Sequence, residues 1–441
     1  MLLAIVLPPH KVTAQPVGSV PRLTLRTVLD SARSDYPGVA AAQSRVRAAD
    51  AARTTSRAFG NPMLSYSVDQ ARFPGAQPLV GMSRQTFITA TVPLEPFYQR
   101  GARVTRANAE LRAAEADAVS ERQRLGLEAA SAFYRVALAQ IETETTRELE
   151  GWLDSVVNYN RVRVQEGVTA EADLIRATIE RDRTAVERTL QSAELARSRA
   201  ILAMYLPGAR TSALPNGAPL FVAIQEAPFA LQTTGLGIAP GQPSQPMAMN
   251  ASMRSEVRSA RERVAASAAG IGAERSMVFR ELGATIGTML TMNQTAMIAG
   301  LSLPIPLFDR NRGEIQRARA EYDVAGFELA ATERSMNAEL QGAYDAAVML
   351  TERITELAQR DSANFLRRAD ESRRIALGAY REGAVPLLQV IDAAQSWANS
   401  RVTYYRALFA QQQSILALTV AQGVDIYTSL ALSTATGEAG R

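Results

Sequence analysis

The chain has 441 residues, of which 47% are hydrophobic and 21% are charged, and this composition indicates an ordered protein. It contains no cysteine, which excludes disulfides, thiolate catalysis and zinc-thiolate sites. The single histidine, His10, lies in a predicted leader, so the mature chain also lacks the commonest general base and metal ligand. The formal net charge is only +4, with basic residues dispersed among acidic ones, so nothing indicates nucleic-acid binding. We therefore predict that the protein is not an enzyme and that it holds no cofactor and no resident metal.

Residues 1–22 are predicted to be the remnant of a signal peptide and a leader. A short apolar run at residues 2–7 precedes a small-residue cleavage site at residues 12–14. The run is shorter than the roughly 7 to 15 residues expected of a signal, and no positive charge precedes it, so the start codon and the cleavage site stay open. No segment reaches the roughly 18 apolar residues that a membrane helix needs, so the chain would enter a membrane through strands.

Residues 23–206 are predicted to form the first of two repeats, which opens with helix. Apolar residues recur there at three- and four-residue spacing, and Pro37 is expected to break or kink the helix. The period then changes to two, over residues 63–93, on both sides of a loop rich in proline and glycine. The alternating apolar face consists of Leu64, Tyr66, Val68, Thr86, Ile88, Ala90 and Val92. This pattern predicts a β-hairpin whose strands approach the roughly 9 to 11 residues that cross a bilayer as tilted β.

Two long stretches contain no proline and are predicted to be long helices. They span residues 99–164 and 311–379, and each would extend about 100 Å. In each stretch apolar residues recur every seventh position, which predicts a packing stripe against neighbouring helices. The first stripe consists of Val104, Leu111, Ala118, Leu125, Ala132 and Ala139, and the second of Ile315, Tyr322, Leu329, Met336, Ala343, Leu350 and Leu357.

A glycine-containing turn follows each long helix and leads into a return helix. These predicted tips occupy residues 165–173 and 380–392. The second repeat is predicted over residues 251–425 and has the same order of elements, with its β-hairpin at residues 278–306. An irregular, proline-rich connector at residues 207–250 joins the repeats, and residues 426–441 are predicted to be a flexible tail.

Two landmarks recur in the same order and indicate a tandem duplication. Glu166-Gly167 corresponds to Glu382-Gly383, an offset of 383 − 167 = 216. Upstream, Val92-Pro93 corresponds to Leu303-Pro304 at an offset of 303 − 92 = 211. Offsets that differ by five residues are what a duplicated unit with a small insertion leaves behind.

Four strands cannot close a membrane barrel, because barrels need about eight or more strands. An open edge in lipid would leave backbone groups without hydrogen-bond partners. The strands must therefore be shared between chains. The predicted fold class is mainly α, with long helical hairpins and a membrane β-barrel portion to which each chain contributes four strands.

The whole layout resembles the TolC-like outer-membrane efflux proteins, and the resemblance covers nearly the entire chain. The residues that carry it are Tyr36-Pro37, Asn61-Pro62, residues 301–321 and the turn from Tyr380 to Gly383. The resemblance implies a homotrimer in the outer membrane, with a shared twelve-stranded barrel in lipid and a helical tunnel across the periplasm. It also implies a periplasmic adaptor protein and an inner-membrane pump of the RND type as partners. Some members carry an acylated N-terminal cysteine, which this chain lacks.

The resemblance also implies a closing constriction at the helical tips. The family's inward acidic positions fall at Gln389 and Asp392, and its contact between a tip tyrosine and an aspartate falls at Tyr380 and Asp173. The arginine that helps to hold the family's closed state falls at Val385. Three Asp392 carboxylates around an axis would raise one another's pKa and attract cations. An exposed carboxylate stabilised by the helix dipole is the alternative for Asp392.

Both tip turns are expected to serve adaptor docking. Their residues are Glu166, Gly167, Glu382 and Gly383. The expected function is a passive exit duct for small toxic compounds or metal ions, with the energy supplied by the pump. Two alternatives stay open, namely the outer-membrane component of type I protein secretion and a periplasmic coiled-coil adaptor or scaffold without a barrel.

Overall fold

The computed structural model describes residues 23–69, 85–94, 96–206, 251–278, 282–291, 294–303, 305–306, 308–359 and 362–427. Three predicted segments lie outside the described residues. They are the leader at residues 1–22, the connector at residues 207–250, and residues 428–441 of the tail. Among the described helices, none combines the length and the apolar character needed to cross a bilayer.

The described residues of the first half of the chain form four helices and a pair of antiparallel strands. The helices are α1 (Leu25–Asp35), α2 (Pro37–Arg57), α3 (Pro96–Gln165) and α4 (Glu171–Ala203), and the strands are β1 (Met63–Asp69) and β2 (Gln85–Pro93). The predicted break at Pro37 is confirmed, since α1 ends at Asp35 and Pro37 opens α2. Proline is favoured at that position because its missing N–H would have no partner in the first turn of a helix.

The second half repeats this order. It comprises a short 3-10 turn at Ala251–Met253, then α5 (Ser255–Ser276), β3 (Gly283–Thr291), β4 (Gln294–Ser302), α6 (Arg312–Gln359), α7 (Ser362–Arg381) and α8 (Leu387–Ala421). The stretch predicted as one long helix is described as α6 and α7, and residues 360–361 between them lie outside the described residues.

The four strands form one antiparallel sheet in the order β1-β2-β3-β4. Ala90 on β2 lies between Leu64 on β1 and Ile286 on β3, so the central pairing joins the two halves of the chain. The register gathers the apolar alternating residues on one face, which we call the apolar face. Its residues are Leu64, Tyr66, Val68, Ile88, Ala90, Val92, Ala284, Ile286, Leu290, Met297, Ala299 and Leu301.

The described part of the chain leaves the apolar face of the sheet uncovered. Leu64 and Met297 are each 75% exposed. The opposite face carries mostly small or polar residues, such as Ser65, Thr89 and Gly287. Its larger apolar exceptions are Met63, Phe87, Met289 and Ile298. The edge strands β1 and β4 are exposed along nearly their whole length.

The helices pack around two hydrophobic cores. The first, beside α1, joins α3, α6 and α8 and contains Leu29, Leu416 and Ile426. It reaches past the predicted start of the flexible tail, because Ile426 is fully buried and the Tyr427 hydroxyl donates to the Arg122 carbonyl. The ion pair between Arg122 and Asp425 holds the same segment against α3. Packing therefore keeps the first two residues of the predicted tail in place.

The predicted packing stripe is buried over most of its length in α3, whereas in α6 its residues are half-buried, apart from the exposed Tyr322. In α3, Leu111, Leu125 and Ala132 are buried. In α6, Tyr322 is 40% exposed, and the buried residues instead follow a row displaced by three or four positions. That row contains Ala318, Ala325, Leu340, Ala347 and Ile354. The alanines allow neighbouring helices to approach closely, which favours this row over one with larger side chains.

Candidate functional site at the helical tips

The two tips have the same backbone geometry. Gly167 and Gly383 adopt φ of 73° and 76°, in the left-handed region that favours glycine. In the first tip the Val168 N–H donates to the Arg163 carbonyl at 2.9 Å, and in the second the Ala384 N–H donates to the Ala379 carbonyl at 2.8 Å. These bonds satisfy carbonyls at the helix end that have no partner within the helix. Each return helix then begins four residues after its glycine.

Alanine at either tip glycine should destabilise the protein. We expect Gly383→Ala to cost roughly 1–2 kcal/mol, because a Cβ is disfavoured at positive φ. Gly378→Ala is the matched control, since Gly378 lies inside α7 and an added Cβ would meet no atom within 4 Å. That control should stabilise the helix by about 0.5–1 kcal/mol. Thermal denaturation monitored by circular dichroism would measure both, and equal midpoints for the two variants would contradict the prediction.

The second hydrophobic core lies beside the tips and holds the two repeats together. It includes Val156 and Val157 of α3, Ala177 of α4 and Val390 of α8. Trp397 of α8 also belongs to this core, with the Arg373 guanidinium 4.0 Å from its ring centroid. This cation–π contact stabilises the packing of α7 against α8.

Tyr380 is the predicted site residue that is most deeply embedded in this core. It is 5% exposed, and its hydroxyl donates to Asn160 Oδ1 at 2.5 Å. Asn160 is fully buried in α3, and its amide nitrogen donates to the Val156 carbonyl. Tyr159 packs edge-on against the Tyr380 ring at 6.0 Å. A buried hydrogen bond therefore connects the first repeat with the second.

The hydroxyl of Tyr380 bonds to Asn160 in the structure, whereas the resemblance placed Asp173 opposite it. Asp173 lies in the first turn of α4 and is half-buried. Burial raises the pKa of Tyr380 above its ordinary value, the hydrogen bond to Asn160 opposes that rise, and the nearby charge of Asp173 adds to it. Tyr380 thus remains protonated and acts as a donor at neutral pH.

Gln389 and Asp392 both lie on an exposed side of α8, away from this buried bond. Asp392 opens into a groove between α7 and α8 that Phe365, Ser396 and Asn399 also line. Gln389 lines a second groove with Ile375 and Val385. The structure does not bring Asp392 together with Tyr380 or Asp173 in one cluster within the chain.

Glu166 and Glu382 lie at the ends of the two long arms and are exposed. Each occupies the last position before a tip glycine, at the negative end of a helix dipole. A carboxylate there does not stabilise its own helix. These two side chains are therefore available for an external contact.

Asn160 is a site residue that the sequence analysis missed. Its signal was an amide side chain within an otherwise apolar helical row near a predicted tip. The sequence analysis also missed Trp397. Its signal was the rarity of tryptophan, since the chain contains only two. Among the residues that the structure describes, no group of three or more histidine, cysteine, aspartate or glutamate side chains is arranged to hold a metal ion.

Comparison with known proteins gives one consistent result. The family model for outer membrane efflux proteins matches residues 28–206 and 250–424. The cobalt-zinc-cadmium resistance protein CzcC of Cupriavidus metallidurans is 23% identical over 392 residues, which cover 88% of this chain and 86% of CzcC.

Solved structures share the fold. The outer membrane protein VceC of Vibrio cholerae superposes with a TM-score of 0.70 at 20% identity, covering 91% of this chain and 96% of VceC. The outer-membrane channel OprN superposes with a TM-score of 0.73 at 19% identity, covering 91% of this chain and 90% of OprN. The predicted fold class and the predicted localisation in the outer membrane, with a large periplasmic portion, are confirmed. The chain belongs to the outer membrane efflux protein family.

Proposed function

We propose that the protein is the outer-membrane exit duct of a tripartite efflux system, which conducts its cargo passively. The observation that carries this proposal is the sheet with two unlike faces. The apolar face is exposed, while the opposite face carries mostly small and polar side chains. Such alternation suits a barrel with lipid on one side and an aqueous lumen on the other.

The duct is proposed to be a homotrimer. The exposed edges of β1 and β4 need partners, because unpaired backbone groups are costly in lipid. Three chains would supply twelve strands and join β4 of each chain to β1 of the next. The long helices, α3 alone having 70 residues, would continue the barrel as a tunnel of about 100 Å.

The tips are proposed to meet a periplasmic adaptor protein, with an inner-membrane pump of the RND type behind it. The exposed Glu166 and Glu382 lie at equivalent places on the two tip turns. Their positions do not serve helix stability, which supports a docking role. The repeat boundaries predicted from the sequence, residues 23–206 and 251–425, fit this proposal because each repeat then ends in one tip and one return helix.

Metal ions are the favoured cargo, because CzcC is named for resistance to cobalt, zinc and cadmium. Small toxic compounds are the alternative within the same function. Deleting the gene should lower the tolerance of the cells either to metal ions or to small toxic compounds, and not to both. Loss of a secreted protein, with both tolerances intact, would instead support type I protein secretion.

A periplasmic scaffold without a barrel is the alternative from a different class. The uncovered apolar face of the sheet argues against it, since such a face in water would promote aggregation. Purification decides between the two readings. A mature chain that stays monodisperse without detergent would support the scaffold.

Single-channel recording in planar bilayers tests the duct and the Asp392 constriction together. We expect wild-type protein to give small, cation-favouring current steps, and Asp392→Asn to lose most of the cation preference. Glu328→Gln is the matched control, since Glu328 is an exposed carboxylate of α6, outside the predicted tips. Conductance with no change in the Asp392 variant would leave the pore in place and reject Asp392 as its constriction. The absence of any conductance would reject the duct.

A further inference from the structure

The return helix α8 carries one exposed row of residues along its tip half. The row has three- and four-residue spacing and consists of Asp392, Ser396, Asn399 and Thr403, which we call the oxygen row. All residues of α8 are described, and between Asp392 and Thr403 every other residue of this helix is buried or half-buried. Members seven residues apart, such as Ser396 and Thr403, stay on one side of a helix that supercoils with its neighbours. The oxygen row is therefore a continuous seam.

Within the described part of the chain, the other sides of α8 are in contact with neighbouring helices. Trp397 is buried in the second hydrophobic core. The side-chain amide of Gln395 donates to Glu180 of α4, and Arg401 donates to Glu148 of α3 at 2.7 Å. These contacts fix the rotation of α8, so the oxygen row is held on its open side.

The oxygen row differs in chemistry from the exposed residues on the other helices near the tips. Exposed residues there include long charged and large apolar side chains, namely Arg176, Ile179 and Arg183 on α4 and Arg368, Glu371 and Ile375 on α7. The oxygen row contains neither kind, and all of its side chains are short and polar. Short polar side chains stay hydrated and narrow a passage little, which suits a wall around water. A contact with another helix would instead favour apolar residues at these positions.

A single charge lies at the tip end of the oxygen row. Asp392 opens the row, and its other members offer uncharged hydroxyl and amide oxygens. The next exposed residue, Arg406, donates to Glu142 of α3 at 2.8 Å, so its charge is compensated. A cation attracted to Asp392 would therefore meet no positive charge in the row over the following 403 − 392 = 11 residues, roughly 16 Å.

We propose that the oxygen row lines the inside of the tunnel and that hydrated divalent cations pass along it. The inference rests on the proposed exit duct, to which it adds the residues of the wall and the class of cargo. Hard divalent cations prefer oxygen ligands, and uncharged oxygens replace part of a hydration shell without holding the ion tightly. Three copies of the chain would place three oxygen rows around one axis, with Asp392 at the tip end of each.

Cysteine scanning in planar bilayers tests which way the oxygen row faces. The chain has no natural cysteine, so Ser396→Cys, Asn399→Cys and Thr403→Cys each carry a single thiol. Thr189→Cys is the matched control, because Thr189 is an exposed threonine of α4 at a similar distance from its tip glycine, 189 − 167 = 22 residues against 403 − 383 = 20.

We expect a cationic thiosulfonate reagent to lower the cation conductance of the three row variants by roughly half, because it fixes a positive charge in the path of the ions. An anionic thiosulfonate should raise their cation preference. Neither reagent should change the current of Thr189→Cys. Mass spectrometry of the same samples shows whether each thiol has reacted.

Two outcomes would overturn the inference while the exit duct stands. Row thiols that react without any change in current would place the oxygen row outside the tunnel. Row thiols that stay unreactive would show that another helix covers the row. In both cases the current of the unmodified protein demonstrates the duct, whereas the absence of current from the unmodified protein would reject the duct and the inference together.

Removing the oxygens tests the class of cargo. The triple variant Ser396→Ala, Asn399→Leu and Thr403→Val keeps the side chains close to their natural size and leaves Asp392 in place. We expect the permeability of Co²⁺ relative to chloride, measured from reversal potentials, to fall severalfold. The permeability of K⁺ relative to chloride should change much less, because divalent ions hold their water more firmly. Equal changes for Co²⁺ and K⁺, or no change for either, would overturn the assignment to divalent cations.

Discussion

Arginine at position 297 is expected to prevent stable insertion of the protein into the outer membrane. Met297 lies in the middle of β4 on the apolar face and is 75% exposed in the chain. An arginine on the lipid face near the midplane costs about 2–4 kcal/mol per chain. A trimer would carry this cost three times. Fractionation of cells into outer-membrane and periplasmic or aggregated pools, followed by immunoblotting, would measure the loss.

Ala296→Arg is the matched control for this prediction. Ala296 is the preceding residue on the same strand, is also exposed, and points to the opposite face. Arginine there would face the proposed lumen, where water solvates its charge, so we expect near-normal insertion and reduced cation conductance. Equal losses for both variants would contradict the assignment of the two faces. A larger loss for Ala296→Arg would reverse it.

Removing the Tyr380 hydroxyl is expected to loosen the tips. In Tyr380→Phe the fully buried Asn160 loses the donor to its side-chain oxygen, which costs about 1–3 kcal/mol. The bond connects α3 of the first repeat with α7 of the second, so its loss weakens the coupling between the arms at the tips. We expect a severalfold rise in open probability or conductance in planar bilayers, together with a lower thermal midpoint.

Tyr159→Phe is the control for the tip prediction. The Tyr159 hydroxyl makes only a long bond of 3.4 Å to the Arg381 carbonyl at an exposed place, so its loss should change stability by no more than about 0.5 kcal/mol. Asn160→Ala should reproduce the effect of Tyr380→Phe because it removes the same bond. A lower thermal midpoint with unchanged conductance would show that the bond stabilises the fold without restraining the pore.

The sequence predicted the elements of the tips but not their contacts. Glycine at positions 167 and 383 predicted the turns, because few other residues adopt positive φ at a helix end. The family resemblance implied Asp173 as the partner of Tyr380, whereas in the structure the Tyr380 hydroxyl donates to Asn160. Asn160 and Tyr380 are 220 residues apart, and no local pattern relates two positions on different long helices.

The buried faces of the two long helices were also only partly predictable from the sequence. A period of seven was readable in both, but only in α3 did the apolar residues with that period form the buried row. In α6 the buried row follows Ala318, Ala325 and Ala347, and the larger Tyr322 stays partly exposed. Side-chain size alone does not identify the packed face, because close helix contacts select small residues as well as large ones.

The sequence by itself determined the alternation of the strands, the glycine turns, the helix break at Pro37 and the duplicated order of elements. These features depend on backbone geometry over a few residues, and period and turn chemistry record that geometry directly. Only the tertiary structure decided that β2 pairs with β3 across the two repeats, that Tyr380 bonds to Asn160, and that Ile426 is buried. Those outcomes depend on free energies summed over contacts between residues far apart in the chain, which no short window of sequence contains.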